Sequence, residues 1–567
     1  MPSLCSESIL SEDYADFILP YGGIRQPILE QYPQNCVLFP SPEFFLLYEP
    51  IEERRLSPKQ AYSYFSIPKL YAPIDSTSME RSGIPAVQSN PLLNLDGRGV
   101  LIGFMDSGID WQSPAFLGED GQTRILRIWD QSLTAKEGDD FSSPASYPYG
   151  LEFTKEQIDA ALDGSLPPLP TTDESGHGSF AAGIAAGGRF PNSSFTGAAP
   201  NAFLAMVKLK PAKSYLRTFF GVPESAIAYQ ENDLLTAAIY LTELARRENL
   251  PLILCVTTGT TSGSHDGTSP LGHILSQIAV QIGCAVVIAA GNEGGEEHHY
   301  FGQLDQANPE ESVSLRVGEG ENGFTLELWA NLPERYSIRF TSPSGEVLPE
   351  ISVSYGEEER LGFRLDPTLI YVSYHEAEVG SGDQLILMRF LNPTPGIWRI
   401  QVRNTFFLGG NYHIWLPIKG FVKEDTVFLR PNPDVTLTEP ANASSPITVS
   451  TYNHYNNSIY IHSGRGYTRD GRIKPDLSAP GVDVFGPNTG QTLRFTRKTG
   501  SCIAAAHTAG AAACLMQWGL YHRNSPSMNS TIIKSMLIRG AERSPAYSYP
   551  NREFGYGTLN LYQSLTL

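Results

Sequence analysis

Hydrophobic residues in this chain change their spacing along its length, and the changes mark out different kinds of structure. Between about 90 and 300 they come in unbroken runs: Val100-Leu-Ile-Gly-Phe-Met, Phe203-Leu-Ala-Met-Val, Leu252-Ile-Leu-Cys-Val and Ala285-Val-Val-Ile-Ala-Ala. Amphipathic stretches separate the later runs, Asp233-Leu-Leu-Thr-Ala-Ala-Ile-Tyr-Leu-Thr-Glu-Leu and then Leu271-Gly-His-Ile-Leu-Ser-Gln-Ile-Ala-Val. Continuous apolar strands separated by helices predict a parallel sheet covered on both faces. From about 300 to 430 the runs become short and many alternate, as in Val313-Ser-Leu-Arg-Val, Phe324-Thr-Leu-Glu-Leu-Trp, Tyr336-Ser-Ile-Arg-Phe, Leu385-Ile-Leu-Met-Arg-Phe, Ile397-Trp-Arg-Ile-Gln-Val and Tyr412-His-Ile-Trp-Leu. Turn residues lie between them and no helix of normal length fits, which predicts an all-β sandwich or jelly roll. After about 440 the α/β texture returns, so the β region is inserted into one continuous α/β unit. Residues 1 to about 75 read as a small α+β unit, with strands at Cys36-Val-Leu-Phe and Phe44-Phe-Leu-Leu-Tyr and a short helix at Pro58-Lys-Gln-Ala-Tyr-Ser-Tyr. Tyr71-Ala-Pro-Ile-Asp-Ser-Thr-Ser then reads as an extended, exposed connection.

The length of 567 residues suits this division, since roughly 150 residues per domain gives three or four units. Such units bury cores that need neither disulfides nor a structural metal. A formal net charge of −19 excludes the basic footprint of nucleic-acid binding. No window approaches the roughly 18–20 apolar residues of a membrane helix. The start, Met1-Pro-Ser-Leu-Cys-Ser-Glu-Ser, has no basic n-region and no apolar h-region, so no signal peptide is expected. The six cysteines show no CxxC pair and no metal-ligand rhythm. Cys255 and Cys284 sit in apolar, strand-like surroundings and read as buried reduced thiols, which fits a reducing, intracellular compartment.

Four blocks carry candidate chemistry. In Gly103-Phe-Met-Asp106-Ser-Gly108 an apolar strand runs into a carboxylate, where open α/β sheets place their sites, although a strand-ending Asp is often only a cap. In Gly176-His177-Gly178-Ser179 a histidine opens a helix of small residues, and a tight helix start explains it equally well. In Ala289-Ala290-Gly291-Asn292 a side-chain amide follows a buried strand, either as a turn residue or as a donor to a developing oxyanion. In Thr499-Gly500-Ser501-Cys502-Ile-Ala-Ala-Ala506-His507 a Gly-Ser turn opens an Ala-rich helix, and helix N-termini lower thiol pKa. Glu296-Glu-His298-His299 reads as a solvated loop rather than a metal site, and His265-Asp266 as a loop held by its own polar contacts.

Asp106, His177 and the Gly-Ser-Cys helix start follow one another in the triad order of subtilisin. Over about 90–300 and 440–567 the chain resembles the subtilisin-like serine proteases (subtilases). It is most similar to the Csp-type germination proteases of clostridia, with segments such as Ser66-Ile-Pro-Lys-Leu-Tyr, Gly263-Ser-His-Asp-Gly and Ser463-Gly-Arg-Gly-Tyr-Thr-Arg. The resemblance implies an α/β, subtilisin-like parallel sheet with helices on both faces, a prodomain at 1–75, subtilase parts at 76–300 and 436–567, and an inserted jelly-roll-like domain at 301–435. It implies an endopeptidase that activates a cortex-lytic pro-enzyme in an intracellular or spore-associated setting. Asp106 would orient His177, the general base, and Asn292 would donate to the oxyanion. Thr257, Thr258 and Gly259 would form the substrate strand and Ala289, Ala290 and Gly291 the wall of the specificity pocket. Protein substrate would bind as an added strand, and the chain's own prodomain is the other expected partner. Subtilases often carry calcium, but no acidic loop here is specific enough to assign one, and no cofactor is expected. The family pattern Gly-Thr-Ser-x-Ala-x-Pro-His reads Gly500-Ser501-Cys502-Ile-Ala504-Ala-Ala506-His507. Cys502 therefore stands at the nucleophile position, and Ser501, turned by about 100° on a helix, faces elsewhere. A site shaped for serine holds the larger sulfur poorly, so activity is expected to be weak or absent; the alternative is a pseudoprotease that binds or signals.

Overall fold

The computed structural model describes residues 5, 8–51, 63–73, 80–134, 141–189, 195–351, 358–490 and 494–566. The four apolar runs become adjacent parallel strands in the order Cys284–Ala289, Leu252–Val256, Leu101–Asp106, Phe203–Lys208. Ile447–Asn453 extends this sheet in parallel on one side and Ile125–Asp130 on the other, and antiparallel strands Ser458–Ile459 and Leu151–Thr154 close the two edges. Successive side chains of a strand point to opposite faces, so each strand feeds two cores. Ile102, Phe104, Ile253, Cys255 and Val287 pack under the helices His177–Ala186 and Ser501–Met516. Leu101, Met105, Leu252, Leu254 and Val286 pack under Glu231–Arg247 and Pro270–Val280. The predicted amphipathic segments form those last two helices. The helix Ser501–Met516 is buried throughout, and its run of alanines lets it lie close against the sheet.

The alternating segments after residue 299 build two antiparallel sheets around one core. One sheet runs His299–Gln303, Asn411–Trp415, Gly323–Ala330, Gln384–Leu391, Leu369–His375, Glu359–Gly362, and the other Arg335–Thr341, Gly396–Phe406, Glu310–Val317, Val427–Phe428. Val313, Leu315, Leu326, Leu328, Ile400 and Val402 meet between them. Arg469, with a side chain 2% exposed, ties this region to the parallel-sheet unit: it pairs with Asp266 at 3.3 Å and Asp383 at 2.7 Å. His265 adds a ring stacked on Trp415, with centroids 4.0 Å apart.

The N-terminal segment forms a three-stranded antiparallel sheet, Tyr14–Pro20, Phe44–Pro50, Cys36–Leu38, with a helix at Arg25–Gln31. The helix expected at 58–64 lies almost wholly outside the described residues. Two expectations need correction. Cys5 and Cys36 are joined in a disulfide with Cα atoms 4.9 Å apart, so the cysteine content does not by itself argue for a reducing compartment. Cys255 is a buried free thiol as expected, but Cys284 is only half-buried, because it lies at the end of its strand beside a 370 Å³ surface cavity that it helps to line. Among the described residues no helix is long and apolar enough to cross a membrane.

Candidate active site

Asp106 closes its strand at the C-terminal end of the sheet and is fully buried. Its carboxylate accepts from His177 Nδ1 at 2.8 and 2.9 Å, from the Ser107 N–H at 2.6 Å and from the Thr257 hydroxyl. Burial alone would raise its pKa, but the imidazole and these donors outweigh burial and hold it below the ordinary carboxylate value. His177 is the first residue of its helix. Gly178 follows because only a glycine fits: a Cβ there would overlap the carbonyl of Gly108. Cys502 is the other hydrogen-bonding neighbour of the imidazole. Burial would push the imidazole down, but Asp106 and the Cys502 sulfur beside it hold it well above its usual value.

Cys502 sits in the first turn of the buried helix, 1% exposed. Ser501 faces away: its hydroxyl accepts from the Gly291 N–H at 3.1 Å. The Ser501 N–H donates to Asn292 Oδ1 at 3.0 Å. That bond assigns the amide, since an oxygen must face an N–H, and leaves Nδ2 as a donor. Asn292 is half-buried. His507 and Ala506 are core residues, with His507 Nδ1 bonded to the Ile503 carbonyl at 2.8 Å.

The segments expected to bind substrate divide in two. Thr258–Gly259 presents a strand edge that Leu70–Pro73 pairs with in antiparallel register, Gly259 opposite Ala72 and Thr258 opposite Pro73. Tyr229–Gln230 pairs with the other edge of the same segment. The connection read as exposed is thus extended, but its backbone is the middle strand of a three-stranded sheet; residues 74–78 lie outside the described residues. Thr257 spends its hydroxyl on Asp106. Ala289–Gly291 offers no edge for a peptide: the Ala290 N–H and carbonyl bond Val449 and Thr438, and the Gly291 carbonyl accepts from Gly464.

Sequence reasoning missed Tyr229–Gln230, a two-residue strand with no periodic signal, and Thr438. The Thr438 side chain lies between these two segments, where a Cβ on either Gly259 or Gly291 would overlap it. The loop of Glu296, His298 and His299 is not solvated as expected. His298 bonds Glu293 at 2.9 Å and His299 bonds His413 at 2.9 Å, both histidines being buried. Among the described residues no group of three or more His, Cys, Asp or Glu side chains is arranged to hold a metal. His265 contacts two backbone carbonyls and so serves the loop rather than a dyad.

The subtilase family profile matches residues 97–320 and 409–557. This chain belongs to the subtilase family. The gap in the match falls inside the two-sheet β region. Among solved structures, the Clostridium perfringens CspB protease is 32% identical to this subtilase and superposes with a TM-score of 0.74, over 85% of this chain and 95% of that one.

Proposed function

We propose that this subtilase is a slow endopeptidase whose nucleophile is the Cys502 thiol. His177 acts as general base and acid, Asp106 holds the imidazole, and Asn292 Nδ2 donates to the oxyanion. The observation that carries the reading is the unbroken contact line from Asp106 through His177 to Cys502, in the same unit as a cleft with a chain segment laid in as a strand. The sulfur attacks the peptide carbonyl with its proton held on His177. The leaving amine takes that proton, and water activated by His177 then hydrolyses the thioester. A sulfur displaced by about 1 Å from the place of a serine oxygen costs around 100-fold in rate, hence slow turnover.

Residues 1–75 act as a prodomain and 301–435 as an inserted domain. The bond cut in the chain itself lies near Asp75 and Ser76, about 30 residues ahead of Asp106. Likeness to the germination proteases points to a cortex-lytic pro-enzyme as protein substrate. The 1% exposure of Cys502 favours a second reading, in which the same groove binds a partner without cutting it. The intact mass and N-terminus of the purified chain and of Cys502→Ser decide between them. Scission near residue 75 that rises in Cys502→Ser supports the enzyme. A folded Cys502→Ser chain that stays uncut leaves the pseudoprotease.

A further inference from the structure

The segment Ser66-Ile-Pro-Lys-Leu-Tyr leads into the cleft strand, and it carries a charge into the core. Lys69 is 4% exposed. Its ammonium donates to the carbonyls of Tyr64 and Ile67 at 2.8 and 2.7 Å and lies 4.2 Å from the Tyr64 ring centroid. Burial pushes its pKa below the usual lysine value, and three carboxylates oppose burial from the two units on either side: Glu231 from the parallel-sheet unit, and Glu327 and Glu378 from the β region. They are 0%, 2% and 6% exposed. Glu231 also fixes the backbone of the segment, accepting from the Lys69 N–H at 3.3 Å while its own N–H donates to the Lys69 carbonyl at 2.9 Å. Glu327 accepts from the Tyr64 hydroxyl, from the Gly263 N–H at 2.9 Å and from Trp329 Nε1 at 3.0 Å. Around this charge Tyr64, Ile67 and Leu70 sit in an apolar seat made with Leu216, Phe219, Trp329 and Leu385.

We infer that Glu231, Glu327 and Glu378 form a cation-reading subsite at the far end of the cleft, which selects protein segments carrying a lysine immediately before the bound strand. The physical reason is desolvation. An apolar side chain in the place of Lys69 would close the seat over carboxylates left without a counter-charge, and an acidic one would add repulsion. A lysine supplies the one positive charge among these carboxylates, and its carbon stem fills the apolar seat. The inference rests on the reading that residues 70–73 occupy the place of a substrate. It makes the β region part of substrate recognition, because two of the three carboxylates belong to it.

The test uses the full chain and needs no turnover. Backbone hydrogen exchange at Leu70–Ala72 and iodoacetamide labelling of Cys502 are followed in the native chain and in Lys69→Met. Both rates are expected to rise at least tenfold in Lys69→Met. In a chain carrying Glu231→Gln and Glu327→Gln, which removes two of the buried charges, adding Lys69→Met is expected to change them less than threefold. A peptide of residues 63–76 added to the Lys69→Met chain should slow labelling of Cys502, and the same peptide with methionine for its lysine should need at least ten times the concentration. Near-UV circular dichroism checks that each chain is folded, and Lys69→Arg, which keeps the charge, stands in where Lys69→Met is not: it should stay within threefold of native. An equal rise in both backgrounds, equal potency of the two peptides, or no protection by either overturns the inference. An uncut Cys502→Ser chain overturns the proposed enzyme but leaves these labelling rates unaffected.

Discussion

At the scale of single residues, the site depends on which way two neighbours on one helix point. The Ser501 hydroxyl is committed to the Gly291 N–H, so Ser501→Ala leaves a buried donor unpaired and should cost about 1–3 kcal/mol while changing any peptidase activity little. Urea unfolding and the rate of self-scission measure the two separately; a complete loss of native activity in Ser501→Ala would show that the serine, not Cys502, is the nucleophile. A second single-residue effect lies at the buried Glu439, bridged to Thr260. Burial, and then the nearby Asp266 charge, push the Glu439 carboxyl up to about 8 from a usual 4.5. Between those values the folded chain holds a proton that the unfolded chain has released. The stabilising contribution of this group is therefore complete below about pH 4.5 and is lost as pH rises through 8, at about 1.4 kcal/mol per pH unit. Glu439→Gln should flatten the pH dependence of unfolding by about that slope between pH 5.5 and 7.5. An unchanged slope would mean that the carboxyl is ionised in the fold.

At the scale of elements, His177 is placed by how closely its helix approaches the Asp106 strand. Gly178 is the point of contact, and any side chain there meets the Gly108 carbonyl and the Asp106 side chain. Gly178→Ala should destabilise by about 1–3 kcal/mol through overpacking and should separate His177 from Asp106. Urea unfolding gives the first effect. The second appears as a fall in the imidazole titration midpoint by nuclear magnetic resonance, since Asp106 is a principal group holding it up. A midpoint that stays put while stability drops would show that the helix yields elsewhere. The pairing around residues 70–73 is likewise a property of elements, because Thr258–Gly259 and Tyr229–Gln230 share a sheet only through the strand that lies between them.

At the scale of the whole molecule, the N-terminal sheet is held by buried charge. Asp16 and Lys213 pair at 2.5 Å with side chains 1% and 2% exposed, and Gln230 and Asn232 also donate to Asp16. Asp16→Ala should cost about 3–5 kcal/mol by stranding Lys213, and residues 8–51 should open before the rest of the chain in urea, seen as early proteolytic cutting within that stretch. A single transition of unchanged midpoint would mean that the pair contributes nothing to docking. The inner parallel strands between 100 and 290 and the main β segments after 299 were legible from sequence because burial on both faces and burial on one face leave different spacings of apolar residues. The order Asp106, His177, Cys502 was legible because each residue ends or begins an element with its own local signature. Ile125–Asp130, Leu369–His375, the Tyr229–Gln230 edge and Thr438 were not, since short or mixed strands carry weak periodicity and a single residue outside any element carries none. The Cys5–Cys36 bond, the commitment of Thr257 to Asp106 and the seat of Lys69 among three glutamates depend on groups far apart in the chain. Sequence alone thus determined the main elements and the order of Asp106, His177 and Cys502, through local patterns of burial. Tertiary structure decided which edges were open and which charges were paired, because both depend on what distant segments bring alongside.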